Sequence, residues 1–321
     1  MIFAELPLNE AEGAILGHAI AAGALGLRKG TVLGPDHITA LREAGIAGVL
    51  AARLEPGDIG EDEAALSVGR LLAARNVEIG TATTGRVNLF AGADGVFCVD
   101  AGRIDRINMQ DARISVATLR NHARVDAGQM IATVKIVPFA VPGALLQETA
   151  SGIGSAPLLE VAAFRKTAIG LIQSRLPTTR DTVLDKTGAL MARRAASNGG
   201  AIECERRVPH EAAALSDAIA ELSGKCDLIV IFSASAVADE GDIVPQSIRR
   251  AGGELLRIGM PVDPGNLLVL GRHADKYIVA APGSARSARE NSLDRILDRL
   301  MAGMTLSADD LALMGVGGLL F

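Results

Sequence analysis

The sequence predicts an α/β fold: a doubly wound, mostly parallel sheet in the C-terminal half, preceded by a small mixed α/β domain and a β-rich region. Three observations predict it. From about residue 162 apolar strand-like runs alternate with amphipathic helical patterns. The run Leu228 Ile229 Val230 Ile231 Phe232 is apolar without a break, as a strand covered on both faces must be. Finally, 49% of the 321 residues are hydrophobic, yet there are only seven Phe, one Tyr and no Trp, so the core is aliphatic; with 36 Gly, that mixture suits α/β layers.

The length accommodates two or three domains, read here as 1–75, 76–160 and 161–321. In 1–75, residues 36–44 form a helix that starts after Pro35, puts Ile38 and Leu41 on one face and stops at Gly45. A second helix, 61–74, follows Glu55 Pro56 Gly57 Asp58 and opens with acidic residues that suit the positive end of its dipole. Region 76–160 has short runs between turn residues, at 85–89, 95–99 and 131–137, with one helical turn near 116–121. The Gly-, Ser-, Ala- and Pro-rich stretch 141–157 reads as a connection.

The third domain begins with a strand at 167–172 and a helix at 186–196, with Asp185 as its N-cap and Asn198 Gly199 Gly200 as its stop. Then come strand 201–206, helix 210–222, the strand at Leu228, and helix 243–251 capped by Asp242. Strands at 254–258, 267–270 and 277–280 precede helix 290–301, which gathers Leu293, Ile296, Leu297, Leu300 and Met301 on one side.

The net charge of −5 and the scarcity of aromatic rings argue against a nucleic-acid partner. No apolar segment approaches the roughly 20 residues that cross a bilayer, and residues 1–22 lack a signal-peptide pattern, so a cytoplasmic protein with no membrane partner is expected. Cys98, Cys204 and Cys226 are odd in number and widely spaced, which predicts reduced, buried thiols. The five histidines lack ligand spacing, and none is given a catalytic role.

In open α/β sheets ligands bind beyond the carboxyl ends of strands. Three loops have that placement: Ser233 to Asp242, Asp263 Pro264 Gly265 Asn266, and Ala281 Pro282 Gly283 Ser284 Ala285 Arg286. Asp242 is explained by helix capping, and equally by a Mg²⁺ ion bridging it to a nucleotide phosphate. Asp185 carries the same two readings. The hydroxyls and two arginines of the loop before it, 174–181, make an anion-binding set. Asp239 and Glu240 are either a solvated edge or an acceptor for the paired N–H groups of a pterin or purine. Gly265 and Gly283 each follow a proline and serve either a turn or close approach to a ligand, with Arg286 as a phosphate contact. Ser233, Ser235, Pro264, Asn266, Pro282 and Ser284 complete the candidate set.

In their order these loops resemble the molybdopterin-binding domain shared by molybdopterin adenylyltransferases and molybdopterin molybdotransferases. The nine residues 234–242 match in length a glycine-rich loop that ends in an aspartate, Asp185 and Gly188 match an earlier helix-opening pair, and the two Pro-Gly loops follow. Over the whole chain the sequence is similar to the region ahead of the nucleotidyltransferase domain in bifunctional molybdenum cofactor cytidylyltransferase-like proteins. The phrases are 27–33 with 54–58, Thr84 Gly85 Arg86 Val87 Asn88 Leu89, 132–139, 232–245, 259–266 and Met314 Gly315 Val316 Gly317 Gly318 Leu319 Leu320. The resemblance implies molybdopterin as ligand, Asp242 and Asp185 as the catalytic pair, a nucleotidyltransferase partner and a homo-oligomer. It implies either a module that binds molybdopterin or its nucleotide form, or an active adenylyl- or molybdotransferase using Mg-ATP. The chain departs from the family where consecutive glycines become Ala234, Ser235 and Ala236, where lysines become Asp263 and Asn266, and where Asn-Pro becomes Ser284 and Ala285. Those departures favour the module.

Overall fold

A computed structural model describes residues 1–22, 25–154 and 156–320. The chain divides into two compact units: Met1–Ala93 with Phe97–Val161, and Asp94–Val96 with the residues from Ala162 onward.

In the first unit, strand Ile2–Pro7 pairs antiparallel with Gly48–Arg53, which pairs on its other side with Ile15–Leu16. Helix Pro35–Glu43 closes this sheet with Ile38 and Leu41, packed on Leu6, Leu16 and Val49. Helix Glu61–Leu72 buries Ala64, Ala65, Val68 and Leu72 in one core with Val87 and Leu89 of a four-stranded sheet. Its order is Ile114–Thr118, Met130–Ile136, Arg86–Ala91, Val77–Ile79, antiparallel throughout.

Two expectations in this unit are overturned, and one helix was not foreseen. The turn expected at 116–121 begins as strand Ile114–Thr118, whose Ile114 and Val116 alternate inward. Helix Ala101–Gln110 has no counterpart in the sequence reading; Asp100 caps it by accepting from the Arg103 N–H at 3.0 Å. The stretch read as a connection holds helix Gly143–Ile153, because Leu145, Thr149 and Ile153 recur every four residues and are buried.

In the second unit, numbered from its own start, the strands are β1 (Ala168–Arg175), β2 (Ala201–Pro209), β3 (Leu228–Phe232), β4 (Glu254–Ile258), β5 (Val269–His273) and β6 (Lys276–Ala280). The helices are α1 (Asp181–Ser197), α2 (Ala212–Ser223), α3 (Ile243–Arg250), α4 (Ser292–Met301) and α5 (Ala308–Ala312). The sheet runs β2-β1-β3-β6-β5-β4; β2, β1, β3 and β6 are parallel, and β5 is antiparallel to both neighbours.

Helices cover both faces, as the predicted fold class requires. Leu228, Val230 and Phe232 of β3 enter a core with Met191 of α1 and Leu293, Ile296 and Leu297 of α4. Ile229 and Ile231 enter the opposite core with Leu215 and Ile219 of α2 and Val244 and Ile248 of α3. Every residue of β3 is therefore buried, which is why its sequence shows no alternation.

Two boundary differences from the sequence reading bear on the site. β1 runs on through Gln173 and Ser174, which are polar but fully buried. α1 begins at Asp181 with Arg180 in the N-cap position, so Asp185 lies inside the helix and caps nothing. The cause is a tight turn, in which Thr179 N–H bonds to the Leu176 carbonyl at 2.9 Å and Leu176 N–H to Thr179 Oγ1 at 3.0 Å, releasing the chain into a helix early.

Candidate functional site

Strand register places the three loops at one end of the sheet. Gln173 of β1 is level with Phe232 of β3, Ile231 with Ala280 of β6, and Ala280 with Val269 at the start of β5. Val269 is in turn level with Ile258 at the end of β4, so the β3–α3 loop, the β4–β5 loop and the loop after β6 all leave from this edge.

Arg286 ties the loop after β6 to the end of β3 and to α1. It ends a short 3₁₀ turn, Gly283–Arg286, and its guanidinium lies 5.4 Å from the centre of the Phe232 ring. Nη1 donates to Thr187 Oγ1 of α1 at 2.7 Å and Nη2 to the Ser233 carbonyl at 3.0 Å. Both acceptors are neutral, and among the described residues no carboxylate pairs with this cation. Burial draws its pKa below the ordinary arginine value, with no acidic neighbour to counter that, while the group stays charged.

Three side-chain oxygens at this edge are buried without a hydrogen-bond partner: Gln173 Oε1, Ser233 Oγ and Ser284 Oγ. Each such group costs on the order of 1–3 kcal/mol until something bonds to it. Gln173 is oriented by its other end, Nε2, which donates to the Leu184 carbonyl at 2.9 Å and to Glu205 Oε1 at 3.0 Å. The loop carrying Ser284 and Arg286 is held by Arg194 of α1. This nearly buried guanidinium donates to Asp294 Oδ1 at 2.7 Å, the Ala285 carbonyl at 2.7 Å and the Ser287 carbonyl at 2.8 Å.

The acidic candidates are engaged within the protein. Asp242 Oδ1 accepts from the N–H of Ile243 and Oδ2 from that of Ala238, both at 3.0 Å, so the carboxylate caps α3 and closes the 238–242 loop. Asp239 accepts from Gly241 N–H at 2.7 Å, and Glu240 pairs with Arg249 at 2.6 Å. Exposed Asp185 is held at 2.7 Å by Arg207, which also pairs with Glu205 at 2.6 Å. Among the described residues no three His, Cys, Asp or Glu side chains gather as metal ligands do.

The two Pro-Gly loops differ. Gly265 is buried at φ +119°, and a Cβ there would lie 2.2 Å from Ser292 Oγ; Ser292 Oγ donates to the Gly265 carbonyl at 2.6 Å. Its close approach is to the first residue of α4. The Pro264 carbonyl accepts from Ser292 N–H at 3.2 Å, and the exposed Asn266 offers its carbonyl to Met260 N–H at 2.9 Å. Gly283 is exposed with open space at its Cβ position, while the carbonyl of buried Pro282 accepts from Ala285 N–H at 3.0 Å. Ser235 is exposed and donates to its neighbour's carbonyl, Ala236, at 3.4 Å.

Sequence reasoning missed His210, Gln173 and Arg194, and it placed Ser174 in an anion-binding loop, whereas Ser174 ends β1 and bonds within the protein. Ser174 Oγ accepts from Ala234 N–H at 2.9 Å and lies 3.0 Å from His210 Nδ1, tying the β3–α3 loop to the end of β2. A polar pair closing an apolar strand was the one available signal, at Gln173 and Ser174.

Residues 169–302 match the family described as a probable molybdopterin binding domain. Residues 5–53 match a domain of unknown function, DUF8806. No curated protein matches the chain. Among solved structures the chain is similar to the molybdopterin biosynthesis moea protein from Pyrococcus horikosii, at 12% identity and a TM-score of 0.29, over 97% of this chain and 75% of that one. It is likewise similar to a molybdenum cofactor biosynthesis protein from Pyrococcus furiosus, at 12% identity and a TM-score of 0.27, over 97% of this chain and 65% of that one. Over residues 169–302, most of its second unit, the chain is thus similar to a probable molybdopterin binding domain.

Proposed function

We propose that the second unit binds molybdopterin, or its nucleotide form, at the strand-end edge, as a component of molybdenum cofactor biosynthesis. The observation that carries this reading is Arg286, a half-buried cation whose hydrogen-bond partners, Thr187 Oγ1 and the Ser233 carbonyl, are both neutral. A phosphate supplies the missing counter-charge. Around it the orphan hydroxyls of Ser233 and Ser284 donate to phosphate oxygens, and Gln173 Oε1 accepts from an N–H of the pterin. The match of residues 169–302 to a probable molybdopterin binding domain supports the choice of ligand.

Holding the ligand, rather than transferring a phosphoryl group to it, is the role these residues suit. Transfer needs preorganised donors and cations on the moving phosphoryl group. Here the Ala234 amide is spent on Ser174, and Asp263 stands where a lysine is expected. Each Asp242 oxygen accepts one backbone N–H bond, so this carboxylate caps α3 and closes the 238–242 loop. In this reading a nucleotidyltransferase domain or protein is the partner that consumes the held cofactor.

Anaerobic incubation with molybdopterin, ATP and Mg²⁺ followed by chromatography tests the role. Retained, unmodified molybdopterin is expected; an adenylylated product formed with turnover overturns the module reading in favour of the transferase.

A further inference from the structure

The first unit has its own pocket, of about 560 Å³, within the range of small-molecule sites. Two of its walls are Phe3 and Phe139, with ring centroids 6.3 Å apart and planes inclined by 38°. In a chain with seven Phe, one Tyr and no Trp, two rings meet in an open pocket, and Phe3 is left 49% exposed.

Three charged side chains, Lys29, Glu61 and Lys135, also line it, beside uncharged Val137 and Pro138. Lys29 Nζ lies 5.6 Å from the Phe139 centroid. Lys135 Nζ donates to the Thr84 carbonyl and lies 3.7 Å from Glu61 Oε2. Burial pushes the Glu61 carboxyl above its ordinary range, against the pull of Lys135. A Cβ at Gly85 would fall 2.3 Å from Glu61 Oε2 and 2.8 Å from Lys135 Nζ, so the glycine keeps this corner free for the ion pair. Asp62, which accepts from the Gly85 N–H at 2.6 Å, adds a second carboxylate behind Glu61, so Lys135 is matched locally and Lys29 is the cation set against the aromatic wall. The stretches 84–89 and 132–139, prominent in the sequence and unused by the second unit's site, supply Thr84, Lys135 and Phe139.

We infer that this pocket binds a planar heteroaromatic ring carrying a phosphate, a ligand of mononucleotide size. The ring lies against Phe139 and Phe3, and the phosphate meets Lys29 and Lys135. This site stands independently of the reading of the second unit.

The test is calorimetric titration of the full chain with AMP, GMP, CMP and molybdopterin, with ribose 5-phosphate and inorganic phosphate as ringless controls. At least one ring-bearing phosphate is expected to bind at least tenfold more tightly than either control. Lys29→Glu, at an exposed position, and Phe139→Leu should each weaken that binding tenfold or more. A nucleotide rather than molybdopterin as the preferred titrant identifies the source of the ring. Acetylation footprinting locates the site: saturating ligand should protect Lys29 and Lys135 and leave Lys166, Lys225 and Lys276 unchanged. Equal binding of ribose 5-phosphate, binding indifferent to Lys29→Glu, or no protection of Lys29 and Lys135 overturns the proposal, as does failure of every ring-bearing phosphate to bind.

Discussion

Gly265→Ala is the perturbation whose cost can be worked most fully from the structure. At φ +119° an L side chain is strained by about 1–3 kcal/mol before it meets anything. The added Cβ then lies 2.2 Å from Ser292 Oγ, 2.7 Å from Ser292 N and 2.8 Å from Ser292 Cβ. Ser292 is fully buried at the start of α4, so neither partner can yield without movement of the loop. That movement breaks the bond from Ser292 Oγ to the Gly265 carbonyl and the one from Ser292 N–H to the Pro264 carbonyl, each worth about 1 kcal/mol. The sum is about 3–5 kcal/mol, which for a unit of this size lowers the melting temperature by about 10 °C. Differential scanning calorimetry of the full chain measures it, with Gly283→Ala as the control. Gly283 has open space around its Cβ position and should change stability by no more than about 0.5 kcal/mol. If Gly265→Ala melts with the wild type but loses molybdopterin binding, this glycine serves a ligand, and the packing argument is wrong.

Other expectations follow from the same geometry. Arg194→Ala strands Asp294 and the carbonyls of Ala285 and Ser287, and should cost about 3–5 kcal/mol in denaturant titration; Arg194→Lys, lacking the fork, should recover only part of it. Burial pushes the Cys226 thiol up to about 11, from an ordinary value near 9.0, so iodoacetamide at pH 8 should alkylate it at least about 100-fold more slowly in the native chain than in the unfolded one. Arg113, through its side chain and then its backbone N–H, holds Asp111 down at about 2. A depressed carboxylate contributes stability above the unfolded value near 3.9 and loses it as the pH falls toward 2. The stability gap between wild type and Asp111→Asn should therefore close across that interval, as followed by denaturant titration at successive pH values.

What was legible in the sequence was whatever one element determines alone. The run at Leu228 and the apolar face of α4 announced a sheet covered on both sides, and Asp242 announced a cap. What was hidden depends on partners distant in the chain. Gln173 and Ser174 read as loop because they are polar, yet hydrogen bonds to Leu184, Glu205, His210 and Ala234 let β1 bury them. Asp185 read as a cap because it precedes an apolar stretch, whereas the turn at 176–179 starts the helix earlier. A proline followed by a glycine looks the same at 264–265 and 282–283. Only the position of Ser292, 27 residues beyond Gly265, shows that the first glycine is demanded by packing. Arg194 carries no periodic or motif signal, and its role exists only once α1, α4 and the 283–289 loop meet.

The claim that an anion completes Arg286 is tested most directly by titrating the wild type and Arg286→Met with molybdopterin and with its dephosphorylated form. A lost charge-assisted contact of about 1.5–3 kcal/mol corresponds to roughly 10- to 100-fold weaker binding. The account predicts that loss for the phosphorylated ligand and almost none for the dephosphorylated one. Equal losses for both ligands, or no loss for either, would contradict it.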